Sequence, residues 1–258
     1  MSAQTDMLDD RQRWERLETI TIERLRLFEP EDGYVLAYSG GKDSDVLLAL
    51  TKAAGVKFEA HHHHTTLDPP ELVKHVRSSG AIVDRPKRSM LKLVQKKGLS
   101  SAIRRWCCSE LKERPWPYRV VATGVRAAES ARRAQRQMIE PANAGKGQRF
   151  FHPLLDWADA DIWGYIAGRG VDVCSLYAEG HKRIGCICCP LGRSGTRDAK
   201  RWPKMAANLH AAWMVYCVKH PGRIQDPEGM WGRFLAGDLG RTGGPPQGCP
   251  LFADERPE

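Results

Sequence analysis

A loop of small and hydroxyl-bearing residues, SGGKDS at 39–44, offers the clearest chemistry in the sequence. It follows the apolar run 34–38 and precedes a Leu- and Ala-rich stretch, the order of a buried strand, a turn and a helix. Glycines let the backbone approach an anion closely, and a helix N-terminus presents free N–H groups to it. Asp43 is placed to cap the helix or to hold a metal ion on the phosphates. The predicted phosphate-binding residues are Ser39, Gly40, Gly41, Lys42, Asp43 and Ser44.

Eight cysteines form the second chemical pattern. Cys107 and Cys108 are adjacent, and Cys186 and Cys189 form a C-x-x-C turn, in which two thiolates can bind one metal ion or cluster. These four are the preferred ligands. The residues alone leave three alternatives open: an iron–sulfur cluster, a structural zinc ion, and unligated thiols or a redox disulfide.

The other four cysteines have different predicted roles. Cys174 is a substitute for one of the first pair, and Cys188 is a substitute ligand that should point away from the C-x-x-C pair. Cys217 lies in an apolar helix and is predicted to be core. Cys249 lies in a Gly/Pro-rich tail, where a mobile nucleophile is the alternative to a passive residue.

Strands alternate with helices through the first 170 residues, which predicts an α/β fold with a doubly wound parallel sheet. A helical and cysteine-rich segment follows it. The predicted divisions are an N-terminal helix at 1–32, a nucleotide-binding α/β domain at 33–170, and a cluster-bearing segment with a helix and a loose tail at 171–258. The predicted strands are 34–38, 56–60, 81–83, 119–123 and 150–155.

The composition restricts the class of protein. A net charge of +9 favours anionic partners such as nucleotides or nucleic acid. The sequence contains no run of about 18 apolar residues, and its polar start lacks a signal-peptide core, so we expect no membrane partner and a cytoplasmic location. In that compartment, cysteines serve metal or redox chemistry more than disulfides. We also expect a homo-oligomer.

Several ordered motifs resemble the phosphoadenosine phosphosulfate (PAPS) reductase family of the adenine nucleotide α-hydrolase superfamily, over about residues 33–192. They are AYSGGKDS, TTLDPPEL, RWCCSELK, GVRAAESARR, HPLLDW with DIW, and LYAEGHKRIGCICCPL. The loop resembles the PP-loop of N-type ATP pyrophosphatases, which split ATP between its α- and β-phosphates. The resemblance implies ATP (or APS or PAPS) with Mg²⁺, and a 4Fe–4S cluster on the preferred cysteines.

The same resemblance assigns roles around the GVR motif. It implies that Gly124 and Arg126 contact phosphate or sulfonate, with Ser130, Arg132 and Arg133 as helpers. The implied catalytic residues are Lys42, Asp43 and Arg126. Residues 126–149 carry six basic and two acidic side chains, a local excess that suits a polyanion. The histidines at 61–64 are expected at the rim of the nucleotide pocket, with two of the four pointing inward.

Two departures separate the chain from ordinary sulfonucleotide reductases. Its loop is whole, whereas those enzymes usually have a degraded one. Its tail reads QGCP around Cys249, which does not match their ECGLH-type catalytic motif. The sequence is most similar to the DNA phosphorothioation ATP pyrophosphatase and phage-borne members.

Three functions follow from these features. The first is an ATP-dependent enzyme that adenylates a substrate, such as DNA, tRNA or a small molecule, for sulfur insertion with a cysteine desulfurase as partner. The second is a reductase that releases sulfite from APS or PAPS with a thioredoxin-like reductant. The third is a nucleotide- and nucleic-acid-binding subunit without turnover.

Overall fold

The computed structural model describes residues 2–142 and 146–239, which divide into two compact units. Of the described residues, the sheet unit comprises 2–63, 71–84, 115–142 and 146–184, and the helical unit comprises 64–70, 85–114 and 185–239. The strands are β1 (Tyr34–Ala37), β2 (Phe58–His63), β3 (Ile82–Asp84), β4 (Val120–Ala122), β5 (Ile139–Pro141) and β6 (Arg149–Phe151). The helices are α1 (Ser2–Leu27), α2 (Lys42–Ala54), α3 (Pro70–Ser78), α4 (Met90–Lys97), α5 (Trp106–Leu111), α6 (Ala131–Ala134), α7 (Asp159–Arg169), α8 (Gly195–Arg201), α9 (Pro203–Lys219) and α10 (Pro227–Ala236).

The sheet has six strands in the order β3-β2-β1-β4-β6-β5. All neighbours pair in parallel except β5, which is antiparallel to β6. The predicted α/β class and mostly parallel sheet are confirmed. The antiparallel edge strand β5 was not among the strands predicted from the sequence. A strand of three residues with a terminal proline carries almost no strand signal, and proline is tolerated at such an edge.

The parallel arrangement brings the carboxyl ends of β1, β4 and β6 to one edge of the sheet. The residues that leave these strands are therefore neighbours there, although they are far apart in sequence. Around them, Tyr34, Leu36 and Phe151 are at most 1% exposed and form the centre of the core. Burial of each such side chain stabilises the fold by about 1.5–3 kcal/mol.

Helix α1 is joined to the chain segment that contains α7. The indole Nε1 of Trp157 donates to Thr21 Oγ1 at 3.0 Å, and the guanidinium of Arg13 donates to Asp161 at 2.8 Å. These contacts fix the first helix of the chain to residues about 140 positions later.

The helical unit has its own core, in which Trp213 and Leu111 are almost fully buried. The Ser89 hydroxyl caps α4 by accepting from the Lys92 N–H, and Gly98 follows the end of the helix. Helix α5 carries Cys107 and Cys108. Within the described residues, no helix is long and apolar enough to cross a membrane. Cys249 lies outside the described residues.

Candidate functional site

The loop 39–44 lies at the carboxyl end of β1 and leads into α2, as its sequence predicted. Gly40 has a φ of +72°, and a Cβ there would lie 2.6 Å from Leu72 and 2.8 Å from Val76 of α3. A side chain at this position is therefore excluded by both conformation and space. The Ser39 and Ser44 hydroxyls are 3.1 Å apart, and Ser44 also donates to the Gly41 carbonyl at 2.8 Å. These bonds hold the turn in shape.

The first N–H groups of α2 lack a preceding helical turn to accept their bonds, and several find local partners instead. The Gly41 N–H donates to Ser39 Oγ at 3.3 Å, and the Ser44 N–H donates to the Gly41 carbonyl at 2.8 Å. The Lys42 N–H donates to the hydroxyl of Tyr177 at 2.9 Å. The N-cap residue of α2 is Gly41, which has no side chain to accept a capping hydrogen bond. The Asp43 side chain does not cap the helix either. The Asp43 carboxylate is instead engaged by cations.

Two cations and two carboxylates form a compact network beside the loop. Lys42 Nζ lies 2.8 Å from Asp159 and 3.2 Å from Asp43. Arg126 bridges the same two acids, at 2.6 Å from Asp43 and 2.9 Å from Asp159. The Lys42 and Arg126 side chains are buried, whereas the Asp159 side chain is 62% exposed. The predicted residues Lys42, Asp43 and Arg126 thus lie together. With Asp159 included, the two positive and two negative charges of the network sum to zero before any ligand binds.

The pKa of Asp159 reflects this network. Partial burial opposes ionisation, but the hydrogen bonds and charges of Lys42 and Arg126 outweigh it and lower the pKa. Gly124 fits beneath the network, since a Cβ at this residue would lie 3.0 Å from the Asp43 backbone. A glycine there lets the GVR turn approach the loop.

Behind the loop lies a buried group formed by Tyr38, Asp45 and His75. The Tyr38 hydroxyl donates to Asp45 at 2.6 Å, and His75 Nε2 lies 3.0 Å from the same carboxylate oxygen. His75 Nδ1 faces Asp172 at 3.8 Å. The hydrogen bond to Asp45 raises the pKa of His75 against the opposing effect of burial. This group joins β1, α2 and α3 directly under the phosphate-binding turn.

Ser130 and Arg133 make local contacts. The Ser130 hydroxyl caps α6 by accepting from the Arg133 N–H at 3.2 Å, and the Arg133 guanidinium pairs with Glu129. Arg136 pairs in the same way with Glu140. Two of the six basic side chains in residues 126–149 are therefore paired within the segment, and the roles implied for Ser130 and Arg133 stay predictions.

The histidine run divides between two faces of β2, as strand alternation requires. His61 and His63 both approach the Asp84 carboxylate, at 2.9 and 3.7 Å, and both pack against the ring of Trp116. His62 is buried on the other face, 3.2 Å from the Tyr38 carbonyl. In the helical unit, His64 pairs with Asp68 at 2.9 Å. A role at the pocket rim stays a prediction.

Another residue at the carboxyl edge of the sheet is His152, which follows β6. Its Nδ1 lies 2.7 Å from the hydroxyl of Thr123, which follows β4, and its Nε2 lies 3.5 Å from Glu140. Burial lowers the pKa of His152 and outweighs the effect of Glu140. The imidazole is therefore held neutral at this edge.

The four preferred cysteines all lie in the helical unit. Cys107 and Cys108 are on α5, and Cys186 and Cys189 are on a turn whose backbone closes with the Cys189 N–H donating to the Cys186 carbonyl at 3.2 Å. Cys107 interacts with both Cys108 and Cys186, and Cys186 interacts with Cys189. The two cysteine pairs are therefore close enough for their charges to interact.

The electrostatics of the pairs differ from thiol to thiol. A hydrogen bond from Cys107 and the nearby Arg105 lower the pKa of Cys108 to about 5, against the effect of burial. The same bond, together with burial, raises the pKa of Cys107. Burial raises the pKa of Cys186, while Lys112 opposes that change. Arg105 and Lys112 are thus the cations that favour thiolates here.

The remaining described cysteines have other surroundings. Cys188 is buried and directed towards α8, with its Sγ 3.6 Å from the Gly195 carbonyl and its N–H 3.1 Å from Asp198. Burial and Asp198 raise its pKa to about 12. Cys174 is buried in the sheet unit, and Cys217 is half-buried on α9.

Asp159 and Tyr177 are site residues that sequence reasoning did not single out. Both belong to segments whose motifs were recognised: Asp159 follows HPLLDW, and Tyr177 is in LYAEGHKRIGCICCPL. An acidic residue in the first turn of a helix is usually explained by its favourable interaction with the helix dipole. The sequence therefore offered no separate reason to assign Asp159 to a binding site.

The fold and the loop define an α/β protein with a nucleotide-binding site at the carboxyl edge of a mostly parallel sheet. The model of the phosphoadenosine phosphosulfate reductase domain matches residues 33–191, and the chain belongs to that family. The family resemblance inferred from the motifs is confirmed.

Individual relatives cover different shares of the chain. An uncharacterized protein of Methanocaldococcus jannaschii is 28% identical, over 76% of this chain and 45% of its own length. An adenosine 5'-phosphosulfate reductase of Neisseria meningitidis is 33% identical, over 38% of this chain and 43% of its own. The chain thus spans about half the length of the curated relatives that it matches. A phosphoadenylyl-sulfate reductase of Candida auris, solved as a phosphate complex, has a TM-score of 0.50 and 21% identity, over 67% of this chain and 93% of that one, and supports the fold alone.

Proposed function

We propose that the protein is a PP-loop enzyme that binds ATP with Mg²⁺ and transfers AMP to a substrate, which prepares that substrate for sulfur insertion. An oxygen of the substrate attacks the α-phosphorus, the bond to the β-phosphate oxygen breaks, and pyrophosphate leaves. The terminal sulfur of a donor persulfide then attacks the activated atom and displaces AMP. A second thiol cleaves the resulting disulfide, so that the sulfur stays on the product and the donor cysteine leaves as a disulfide with that thiol. Nucleic acid and small molecules are both candidate substrates, and a cysteine desulfurase is the candidate sulfur donor.

The observation that carries this proposal is the balanced network of Lys42, Asp43, Arg126 and Asp159. Two buried cations stand at the loop and can turn to phosphates that replace the carboxylates as their partners. Preorganised cations of this kind stabilise the charge that develops on pyrophosphate as it leaves. A loop that bound only a sulfonucleotide would not release pyrophosphate, and it would have less need of both Lys42 and Arg126.

The same exchange would release the carboxylates for a metal ion. Carboxylate oxygens are ligands that Mg²⁺ prefers, usually with one or two protein carboxylates and phosphate oxygens. Asp43 and Asp159 fit that requirement, since both already face a common cluster of charge and Asp159 is open to solvent. Mg²⁺ held there would neutralise charge on the phosphates.

The cysteine quartet is the candidate site of a metal cluster. Cys107 interacts with Cys108 and Cys186, and Cys186 interacts with Cys189, so the four thiols belong to one electrostatic group. We propose that Cys107, Cys108, Cys186 and Cys189 hold a 4Fe–4S cluster, which would supply electron-transfer chemistry.

A second candidate function is supported by relatives that are named as reductases. Adenosine 5'-phosphosulfate reductases from two Neisseria meningitidis strains and from Burkholderia cepacia match 38–40% of the chain at 32–33% identity. In this alternative the loop would bind APS or PAPS, and a thiol such as Cys249 would attack the sulfonate sulfur, so that the adenine nucleotide leaves. A thioredoxin-like dithiol would then reduce the resulting thiosulfonate and release sulfite.

Substrate binding and product analysis separate the two. The protein is purified without oxygen and titrated with ATP, APS and PAPS, and pyrophosphate–ATP exchange is measured in the presence of candidate substrates. We expect ATP to bind best and exchange to require Mg²⁺. Sulfite release from APS or PAPS that is lost in Cys249→Ser would instead establish the reductase.

A further inference from the structure

The hydroxyl of Tyr177 lies directly over the phosphate-binding turn. It accepts the Lys42 N–H at 2.9 Å, and a Cβ at Gly41 would lie 3.4 Å from the same oxygen. The hydroxyl thus occupies the space beside the first amides of α2, where an anion is expected to bind.

The local fold holds the Tyr177 ring in this position. The ring packs edge-on against Trp163 of α7, with centroids 5.4 Å apart. Leu176 beside it is fully buried, and the Tyr177 carbonyl accepts the Gly180 N–H at 3.0 Å. Tyr177 therefore stands on a short turn with an anchored neighbour.

The Tyr177 hydroxyl still has a proton to donate. A phenol is both donor and acceptor, and its bond to Lys42 uses only an acceptor position. Within residues 2–142 and 146–239, no protein acceptor takes the Tyr177 proton. Burial raises the pKa of Tyr177, so the hydroxyl stays protonated at neutral pH.

We infer that the Tyr177 hydroxyl donates a hydrogen bond to the terminal phosphates of the nucleotide on the loop and thereby favours ATP and pyrophosphate over AMP. The inference rests on the proposed function, since it places the pyrophosphate portion of the nucleotide at the turn. Lys42 would orient Tyr177 through its backbone N–H and bind the same phosphates through its ammonium group.

The test compares Tyr177→Phe with the wild type by calorimetric titration with inorganic pyrophosphate, ATP and AMP. A hydrogen bond to a charged group is worth roughly a tenfold to hundredfold change in affinity. We expect that loss for pyrophosphate and ATP and an unchanged affinity for AMP. Tyr118→Phe is the matched control, because Tyr118 is 77% exposed in the same unit.

Two results would overturn the inference. Unchanged or tighter pyrophosphate binding in Tyr177→Phe would mean that the hydroxyl only fills the space beside the turn. If the wild-type protein does not bind pyrophosphate, the turn has no pyrophosphate group to which Tyr177 could donate. Nitration of the wild-type protein by tetranitromethane gives a measurement that needs no variant. Pyrophosphate, but not AMP, should protect Tyr177, while Tyr118 reacts in both cases.

The proposed function is judged separately in the same titrations. A wild-type preference for APS or PAPS over ATP would refute ATP activation. The ratio of pyrophosphate affinities between wild type and Tyr177→Phe would still decide the role of Tyr177.

Discussion

The phosphate-binding turn and the cysteine quartet are built on opposite principles. At the turn, every charged group already has a protein partner, and the cations Lys42 and Arg126 are balanced by Asp43 and Asp159. At the quartet, four thiols interact with one another, and Arg105 and Lys112 favour their thiolate forms. The first site is held together by its own ion pairs, whereas under the proposed function a bound cluster would hold the sulfurs of the second.

The largest effect is expected from loss of a cysteine ligand. Cys186→Ser should reduce the iron and acid-labile sulfide of anaerobically purified protein to background, because one thiolate of a four-thiolate site is removed. The optical spectrum and metal analysis measure this. Cys217→Ser, a half-buried cysteine of α9, should retain the wild-type content.

Two results would contradict this prediction. Full iron content in Cys186→Ser would show that the ligand set is wrong. A colourless wild-type protein with stoichiometric zinc would show that the quartet holds no cluster.

The next effect concerns the balanced charges of the turn. Asp43→Asn should lower Mg²⁺-dependent pyrophosphate release by about 10²–10³-fold, the usual effect of removing one electrostatic contributor to a transition state. ATP affinity should change far less, since Lys42 and Arg126 remain. Steady-state kinetics and titration separate the two quantities. In the control Asp156→Asn, a half-exposed carboxylate paired with Arg24 is replaced, and kinetics should be unaffected.

A glycine pair tests how tightly the turn is built. Gly40 and Gly55 both have φ near +70°, but only Gly40 has neighbours that a Cβ would strike. Gly55→Ala should cost about 1–2 kcal/mol of unfolding free energy, from conformation alone. Gly40→Ala should cost a further 1–3 kcal/mol, about the usual effect of overpacking. If chemical denaturation gave equal losses of unfolding free energy for Gly40→Ala and Gly55→Ala, α3 would be shown to move at little cost to accommodate the extra methyl group.

The smallest effect is a pH dependence of stability from His75. Its pKa is raised by Asp45, with Tyr38 and Asp172 also facing the ring. The protonated form therefore adds stability in full below the unfolded-state pKa of about 6.5, and this stability is lost as the pH rises through the folded-state value. The gap in unfolding free energy between wild type and His75→Gln should shrink between pH 6 and pH 9. A constant gap would mean that His75 acts through packing alone.

Local signals account for what the sequence predicted well. The apolar run before SGGKDS and the Leu- and Ala-rich stretch after it specify strand, turn and helix within about twenty residues. Site residues that are distant from the loop in sequence had no comparable local pattern to identify them. Asp159 and Tyr177 reach the loop through contacts with Lys42 across more than 110 positions, and periodicity does not encode such contacts.

The edge strand β5 and the Tyr38–Asp45–His75 group also depend on contacts between distant residues, which local sequence patterns do not encode. Strand β5 is three residues long and ends in proline, so pairing with β6 rather than its own composition makes it a strand. His75 lies on a helix that was predicted, but its partner Asp45 is 30 residues away. Which helix face meets which loop depends on packing.

The attachment of α1 to the region of α7 also matters while the chain is being made. Thr21 and Arg13 leave the ribosome first, yet their partners Trp157 and Asp161 follow 136 and 148 residues later. At about 5–20 residues per second, this interval is roughly 7–30 seconds. Throughout it, Trp14 lacks the ring of Tyr165 on which it packs. The docking of α1 is therefore completed only after α7 has been synthesised.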